Sequence, residues 1–312
     1  MKGLKVFLHL EEKILEIVKA MVEQNFVLVD KETQCDVFLT DVYTIKHQGP
    51  VNILVVDSTK LPEFKGVDDL LGFEHYVIFN EMSFLEERIR KALLRHEKIM
   101  YDQKNDDNYT GVNALIDLKD TTLENGYKLP LIRHFVVKSS SDRKLMAEYL
   151  EKFFEEIETI SGFKNPVVVQ YAIEIQEELL MNAIWDANPK HSQQFRSIPV
   201  ELLPEEEVTL QWAFNGKELA ISVKDPFGRM DPEVMEKYIS FIFRTGKSVE
   251  HSLNNQQKVS AGLGMYMIIQ RANLLSVFIC SGRITDVGVV LIIKEGKRSS
   301  AITSKAIDII KV

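Results

Sequence analysis

Two side chains that could hold a metal ion and accept a proton lie four residues apart on one predicted helix. Apolar residues recur at helical spacing through residues 168–187, which predicts a helix there. Glu178 and Asn182 therefore leave the same face of that helix, one turn from each other. The amide oxygen suits Mg²⁺, and the carboxylate can act as a base toward a hydroxyl group. Taken alone, this helix favours the simpler interpretation of a surface glutamate and a helix-neutral asparagine.

Two later segments carry residues that could bind a ligand. Asp225 ends a strand-like run, where an aspartate that begins a turn before proline is the common interpretation. Gly262 and Gly264 precede another predicted helix, where glycines let the backbone approach phosphates and the helix start offers N–H groups. A single Gly-x-Gly is a weak signal, but its order and distance from Asp225 strengthen it.

The order of these three motifs resembles that of the GHKL ATPases (Bergerat fold), over residues 131–297. Glu178-x-x-x-Asn182-Ala183-x-x-Asp186-Ala187 is most similar to the anti-sigma-factor serine kinases of that group. The resemblance implies that ATP and Mg²⁺ bind here, with Glu178 as the catalytic base and Asn182 as the metal ligand. The ATP contacts that it implies are Asn182, Asp186, Asp225, Gly228, Met230, Gly262, Leu263, Gly264 and Met265.

The motif at Asp225 departs from the family pattern. The usual Asp-x-Gly-x-Gly has glycines where this chain has Phe227 and Arg229, with Gly228 between them. A side chain is unfavourable where the backbone must approach a base or take a positive φ. We therefore expect Gly228 to supply that freedom one residue away. The resemblance also implies that residues 233–260, polar from 245 to 258, form a lid over the nucleotide.

The elements around these motifs predict an α+β two-layer sandwich, which is the GHKL fold. Helices are predicted from residue 142 and over 168–187, and strands over 134–137, 208–212, 219–223, 278–279 and 289–293. Asn215-Gly216 is a turn dipeptide between two of these strands. The pattern favours an antiparallel sheet with helices on one face.

The first 96 residues predict a parallel α/β domain. Short apolar runs at 5–10, 25–29, 37–40, 51–56 and 76–79 are typical of buried strands, and amphipathic helices are predicted over 11–24 and 84–95.

This arrangement resembles a response-regulator receiver domain, with Asp41 at the phosphoacceptor position. The acidic pair that holds Mg²⁺ in receivers falls on His9 and Leu10 here, and the receiver lysine falls on Phe79. We predict a pseudo-receiver that binds partners or dimerises and is not switched by phosphorylation. The predicted domains are 1–96 (pseudo-receiver, flavodoxin-like α/β), 97–130 (connector), 131–298 (histidine-kinase-like ATPase) and 299–312 (tail).

Composition restricts the environment and the partners. The formal charge of −8 argues against a non-specific nucleic-acid or anionic-membrane surface. The two cysteines, Cys35 and Cys280, are far apart and favour reduced thiols. No apolar run approaches the roughly 20 residues of a membrane helix, and the first residues do not resemble a signal peptide. We expect a cytoplasmic protein.

The resemblance implies three candidate functions. The first is a bacterial signalling protein that binds Mg-ATP and phosphorylates a serine or threonine of a regulatory partner, such as a sigma factor or an anti-anti-sigma-like protein. The second is a catalytically silent, ATP-dependent protein-binding module. The third, a sensor histidine kinase, is disfavoured because His96-Glu97 lacks that family's surrounding pattern. His96 is instead expected on a solvated helix face. Homodimerisation is left open.

Overall fold

The computed structural model describes residues 3–42, 44–45, 47, 51–58, 60, 72–101, 109–231, 235, 263–293 and 304–312 of the chain. They form a mixed α/β protein that divides into two compact units. The first unit takes the described residues up to 101 together with 231, 235, 263 and 304–309, and the second takes 109–230, 264–293 and 310–312.

The first unit is built on a parallel sheet. Its strands are β1 (Lys5–His9), β2 (Val27–Leu28), β3 (Val37–Thr40), β4 (Val51–Asp57) and β5 (His75–Phe79). They pair in the order β2-β1-β3-β4-β5. β3 and β5 are buried along their whole length, because a parallel sheet is covered on both faces. The expected α/β class is confirmed.

Two helices and a last strand complete this unit. α1 (Glu12–Asn25) buries Ile14, Val18 and Val22, which recur every fourth residue. α2 (Met82–Tyr101) follows β5, and a short 3₁₀ turn (Glu32–Gln34) joins β2 to β3. The strand Lys305–Lys311, which is β13 in chain order, pairs antiparallel with β5. The sequence had assigned these residues to a tail.

The second unit contains a five-stranded antiparallel sheet. Its strands are β8 (Leu131–Val137), β9 (Val208–Phe214), β10 (Glu218–Asp225), β11 (Leu274–Cys280) and β12 (Ile284–Ile292). They pair in the order β11-β12-β10-β9-β8. The predicted turn at Asn215-Gly216 joins β9 to β10, and Gly216 takes the positive φ of 97° that such a turn requires. A small hairpin (β6, Thr121–Thr122; β7, Lys128–Leu129) precedes the sheet.

Two helices of the second unit carry predicted motifs, α5 (Pro166–Met181) and α6 (Leu263–Arg271). They follow α4 (Asp142–Ser161) in the chain. α5 begins with a strong start signal, because the Asn165 side chain accepts hydrogen bonds from the N–H groups of Val167 and Val168 and Pro166 occupies the first turn. α4 packs on the sheet through Phe153, whose ring lies 5.7 Å from that of Trp212.

Residues 109–116, which the sequence assigned to a connector, pack on the other face of the same sheet. This stretch contains the short helix α3 (Val112–Leu115). The N–H of Gly111 donates to the Asp286 carboxylate (2.6 Å), and the Leu115 side chain fills the space left by Gly288. Gln211 contacts this stretch, whereas its neighbour Trp212 faces α4, since successive strand residues point to opposite faces.

Candidate functional site

The predicted chemistry begins where α5 ends. α5 is regular up to Met181, and a π turn then runs from Asn182 to Asp186. The N–H of Ala187 donates to the carbonyl of Asn182 (2.8 Å), five residues back. Such π turns occur frequently at functional sites because they redirect the side chains that follow. Glu178 and Asn182 are both half-buried here, whereas Asp186 is exposed.

Glu178 lies against the Gly-x-Gly helix. A Cβ at Gly264, in the first turn of α6, would overlap the Glu178 carboxylate. Glycine is therefore needed at this position because the Glu178 side chain approaches the backbone of α6 closely, and not because the backbone takes an unusual conformation. The start of a helix carries a partial positive charge, which favours a nearby carboxylate. The structure thus brings the first and third motifs of the sequence together.

A second contact joins the same two helices. Arg271, in the last turn of α6, forms an ion pair with Glu174 of α5, and its guanidinium lies 4.6 Å from the centre of the Tyr171 ring. Gly264, at the start of α6, contacts Glu178, whereas Arg271, at the end of α6, contacts Glu174, which lies earlier in α5. The two helices therefore run antiparallel. The carboxylate of Glu178 is therefore held at the N-terminal end of α6.

Arg196 belongs to this site, although the sequence analysis did not select it. Its guanidinium forms an ion pair with Asp186 (2.6 Å) and lies 3.9 Å from the Met181 sulfur. Burial raises the pKa of the Glu178 carboxyl, the positive charge of Arg196 opposes this, and the charge of Asp186 adds to it. Arg196 comes from an irregular segment with no periodicity, so the sequence offered no signal for it.

Asp225 forms a second cluster at the end of β10. Only 4% of its surface is exposed, and it accepts a hydrogen bond from the N–H of Phe227 (2.9 Å). Burial raises the pKa of Asp225 to about 7, and the charge of Asp286 acts in the same direction, whereas the backbone N–H groups of Phe227 and Gly228 oppose it. A buried carboxyl with a strongly perturbed pKa is a candidate binding group.

Gly228 is packed against the protein's own backbone. It has a φ of 59°, and a Cβ there would lie 2.6 Å from the nitrogen of Arg283 and 2.7 Å from that of Gly282. The N–H of Gly282 also donates to its carbonyl (3.1 Å). The β11–β12 turn therefore accounts for this glycine. Among the described residues no non-glycine has a positive φ, so neither Phe227 nor Arg229 takes the conformation that favours glycine.

The remaining predicted contacts are only partly described. Met265 is buried and Met230 is half-buried. Gly262 and the Leu263 side chain lie outside the described residues, as does the expected lid at 233–260 except residue 235.

The donor set around Glu178 fits a magnesium nucleotide. Asn182 offers an amide oxygen for Mg²⁺, while Arg196 and the first turn of α6 offer N–H donors for phosphate. In the described part of the chain, no group of three or more His, Cys, Asp or Glu side chains is placed to hold a metal ion. A Mg²⁺ on Asn182 would take its other ligands from phosphates and water, as this ion commonly does.

Two other predicted positions lie in the first unit. The Asp41 carboxylate accepts a hydrogen bond from the N–H of Glu11 (2.8 Å), which ties it to the segment after β1. The prediction that His96 is solvated is wrong, because only 5% of its surface is exposed. Its Nε2 contacts Nε2 of His75, whose Nδ1 lies 2.7 Å from the Asp308 carboxylate.

Comparison with protein-family models found no match to the chain, and comparison with curated proteins found no relative. Among the helices that the structure describes, none is long and apolar enough to cross a membrane.

Proposed function

We propose that the chain is a signalling protein that binds Mg-ATP through a GHKL-type domain at residues 131–298 and phosphorylates a serine or threonine of a protein partner. The observation that carries this proposal is the contact of Glu178 with Gly264. Two segments that are far apart in the sequence, each suited to nucleotide chemistry, meet at one place. The antiparallel sheet, with α4 packed on one face and α5 packed beside α4, supports the α+β two-layer sandwich of that family.

The residues of the Glu178 and Asp225 clusters suit phosphoryl transfer to a hydroxyl group. Bound Mg-ATP would supply the transferable phosphoryl group and the charge of the metal. Asn182 would bind the metal through its amide oxygen, and Asp225 would accept the adenine amine when its carboxyl is ionised. Glu178 would accept the proton of the partner hydroxyl. Because burial raises the pKa of Glu178, its carboxylate is a stronger base than an exposed glutamate.

The first unit supports the pseudo-receiver interpretation. The strand order β2-β1-β3-β4-β5 is the flavodoxin-like order that receivers share. The Asp41 carboxylate accepts a hydrogen bond from the N–H of Glu11, and the neighbouring positions His9 and Leu10 offer no carboxylate for Mg²⁺. We therefore assign this unit to partner binding rather than to phosphorylation.

A catalytically silent module is the second candidate, and the environment of Gly228 favours it. The β11–β12 turn occupies the space beside this glycine, and side chains stand at both neighbouring family glycine positions, Phe227 and Arg229. In this candidate, nucleotide binding controls a regulatory partner, such as a sigma factor or an anti-anti-sigma-like protein, without turnover.

Calorimetric titration with Mg-ATP tests both candidates at once. Wild type should bind, and Asn182→Ala should weaken the Mg²⁺-dependent part of binding. Gln170→Ala is the matched control, because it removes an exposed amide from the same helix. Absence of binding at millimolar nucleotide would reject both candidates. Where binding is found, turnover by wild type selects the kinase or ATPase, and its absence with every partner tried selects the silent module.

A further inference from the structure

Arg196 reaches back to the end of α5 from an irregular segment. Its Nη2 forms the ion pair with Asp186 (2.6 Å), and its Nη1 lies 3.9 Å from the sulfur of Met181. The side chain is 37% exposed, so a ligand in solvent can reach it. The guanidinium is thus positioned beside the π turn that carries Asn182 and Asp186.

The charges around this guanidinium are mostly negative. The negative charges of Asp186 and Glu177 both act on Glu178 at the end of α5. Arg143 neutralises Glu177 through an ion pair of 2.6 Å. Arg196 pairs with Asp186, and it opposes the effect of burial on Glu178. A polyphosphate that approached Glu178 and Asp186 would be repelled by both carboxylates, so a cation is needed there.

The guanidinium also has unused hydrogen-bonding capacity. Arginine carries five N–H donors in a planar fork. The ion pair uses Nη2, while Nη1 faces a thioether, which is a weak acceptor. Within the described residues no other hydrogen bond of Arg196 is seen. The remaining donors match the bidentate geometry that phosphate oxygens prefer.

We infer that Arg196 is a phosphate-binding residue of this site, which exchanges Asp186 for the β- or γ-phosphate of a bound nucleotide. The inference rests on the proposed function and adds to it a residue from outside the three motifs. The exchange releases the Asp186 carboxylate beside Asn182, where the metal is expected. The charge of Arg196 then compensates the phosphate charge that Glu178 and Asp186 would otherwise repel.

The test measures how matched variants bind nucleotides that carry three, two or one phosphate groups. Wild type, Arg196→Gln and Lys190→Gln are titrated by calorimetry with Mg-ATP, Mg-ADP and AMP. Lys190→Gln removes the same charge from the same segment, but Lys190 pairs with Glu206 rather than with Asp186. We expect Arg196→Gln to weaken ATP binding about 10- to 100-fold, as for loss of a charge-assisted hydrogen bond, and to leave AMP binding unchanged. An equal loss of ADP binding assigns the contact to the β-phosphate, and unchanged ADP binding assigns it to the γ-phosphate. Lys190→Gln should bind all three nucleotides as wild type does.

Other outcomes separate this inference from the proposed function. If wild type binds ATP and Arg196→Gln binds it equally well, the role of Arg196 is rejected while the proposed function stands. If Arg196→Gln weakens AMP as much as ATP, Arg196 supports the fold of the site and the inference is also rejected. Arg196→Lys keeps the charge and should recover part of the ATP affinity without changing AMP binding. If Arg196 only supported the structure through its ion pair, the recovery would not be selective for ATP. No nucleotide binding by wild type would overturn both.

Discussion

The contact between Glu178 and Gly264 makes the effect of one substitution depend on the other residue. A Cβ at Gly264 would overlap the Glu178 carboxylate, so Gly264→Ala must displace that side chain. When Glu178 is already alanine, the same Cβ loses this obstacle. Gly264 does not have a positive φ, so its backbone accepts alanine.

The expected magnitudes follow from this geometry. In the Glu178→Ala background, Gly264→Ala should stabilise the protein by up to about 1 kcal/mol, because alanine is the better helix former. In the wild-type background, moving Glu178 to another rotamer costs about 0.5–1.5 kcal/mol. Moving the carboxylate away from the helix start costs a further 0.3–1 kcal/mol or so. The gain is then cancelled or reversed, and the coupling free energy between the two positions is about 1–2 kcal/mol.

Urea unfolding of wild type, the two single variants and the double variant measures this coupling. Trp185 and Trp212 are both buried in the second unit, so their fluorescence reports its unfolding. Glu174→Ala is a control background, because Glu174 contacts α6 at Arg271 instead of at Gly264. Equal stabilisation by Gly264→Ala in all three backgrounds would refute the contact.

Three further predictions concern protonation and phosphorylation. Burial raises the pKa of Asp225 to about 7. The stabilisation that comes from its protonated carboxyl is therefore present below about pH 4 and is lost as pH rises to 7. The free energy of unfolding changes by at most about 1.4 kcal/mol per pH unit in this range. Asp225→Asn should remove that slope in urea titrations between pH 5 and 8, and an unchanged slope would contradict it. Burial lowers the pKa of His96 well below 6.5, so the free energy of unfolding falls as pH drops below about 6.5. His96→Gln should reduce this fall in circular-dichroism melts. An equal fall in both proteins would exclude His96 as its source. Asp41 should take no stable phosphoryl group from acetyl phosphate, whereas labelling that disappears in Asp41→Asn would show the opposite.

The sheets were predictable because their strands are nearly continuous apolar runs or alternate in a regular way. The predicted strand at 37–40 coincides with β3, and the predicted helix at 168–187 overlaps most of α5 and the π turn that follows it. Local patterns of this kind need only neighbouring residues to be interpreted. The meeting of Glu178 with Gly264 was expected only through the order of the motifs, since periodicity on two separate helices does not say whether they touch.

Other features depend on partners that are distant in the sequence. β13 reads as a short apolar run, and nothing within it indicates that it pairs with β5. The burial of His96 did have a signal, because it continues the apolar stripe of Ile89, Ala92 and Leu93 on α2. The prediction of a solvated face relied on the polar residue type instead of on this spacing. In the structure, contact with His75 offsets the cost of burying the ring.

Glu178 has an observed contact and a proposed catalytic role, and two substitutions at this position separate them. As a carboxylate it interacts with the start of α6, and as a base it would accept a proton. Glu178→Gln keeps the shape and the hydrogen bonding but removes the negative charge, whereas Glu178→Ala removes the whole contact. If Glu178 is a catalytic base, both variants should lose turnover about 10²–10⁴-fold while Glu178→Gln retains ATP binding. If it only supports α6, Glu178→Gln should keep turnover and stability close to wild type, since an amide of nearly the same shape still packs against Gly264. Measuring turnover and unfolding for both variants therefore distinguishes loss of the base from loss of the helix contact.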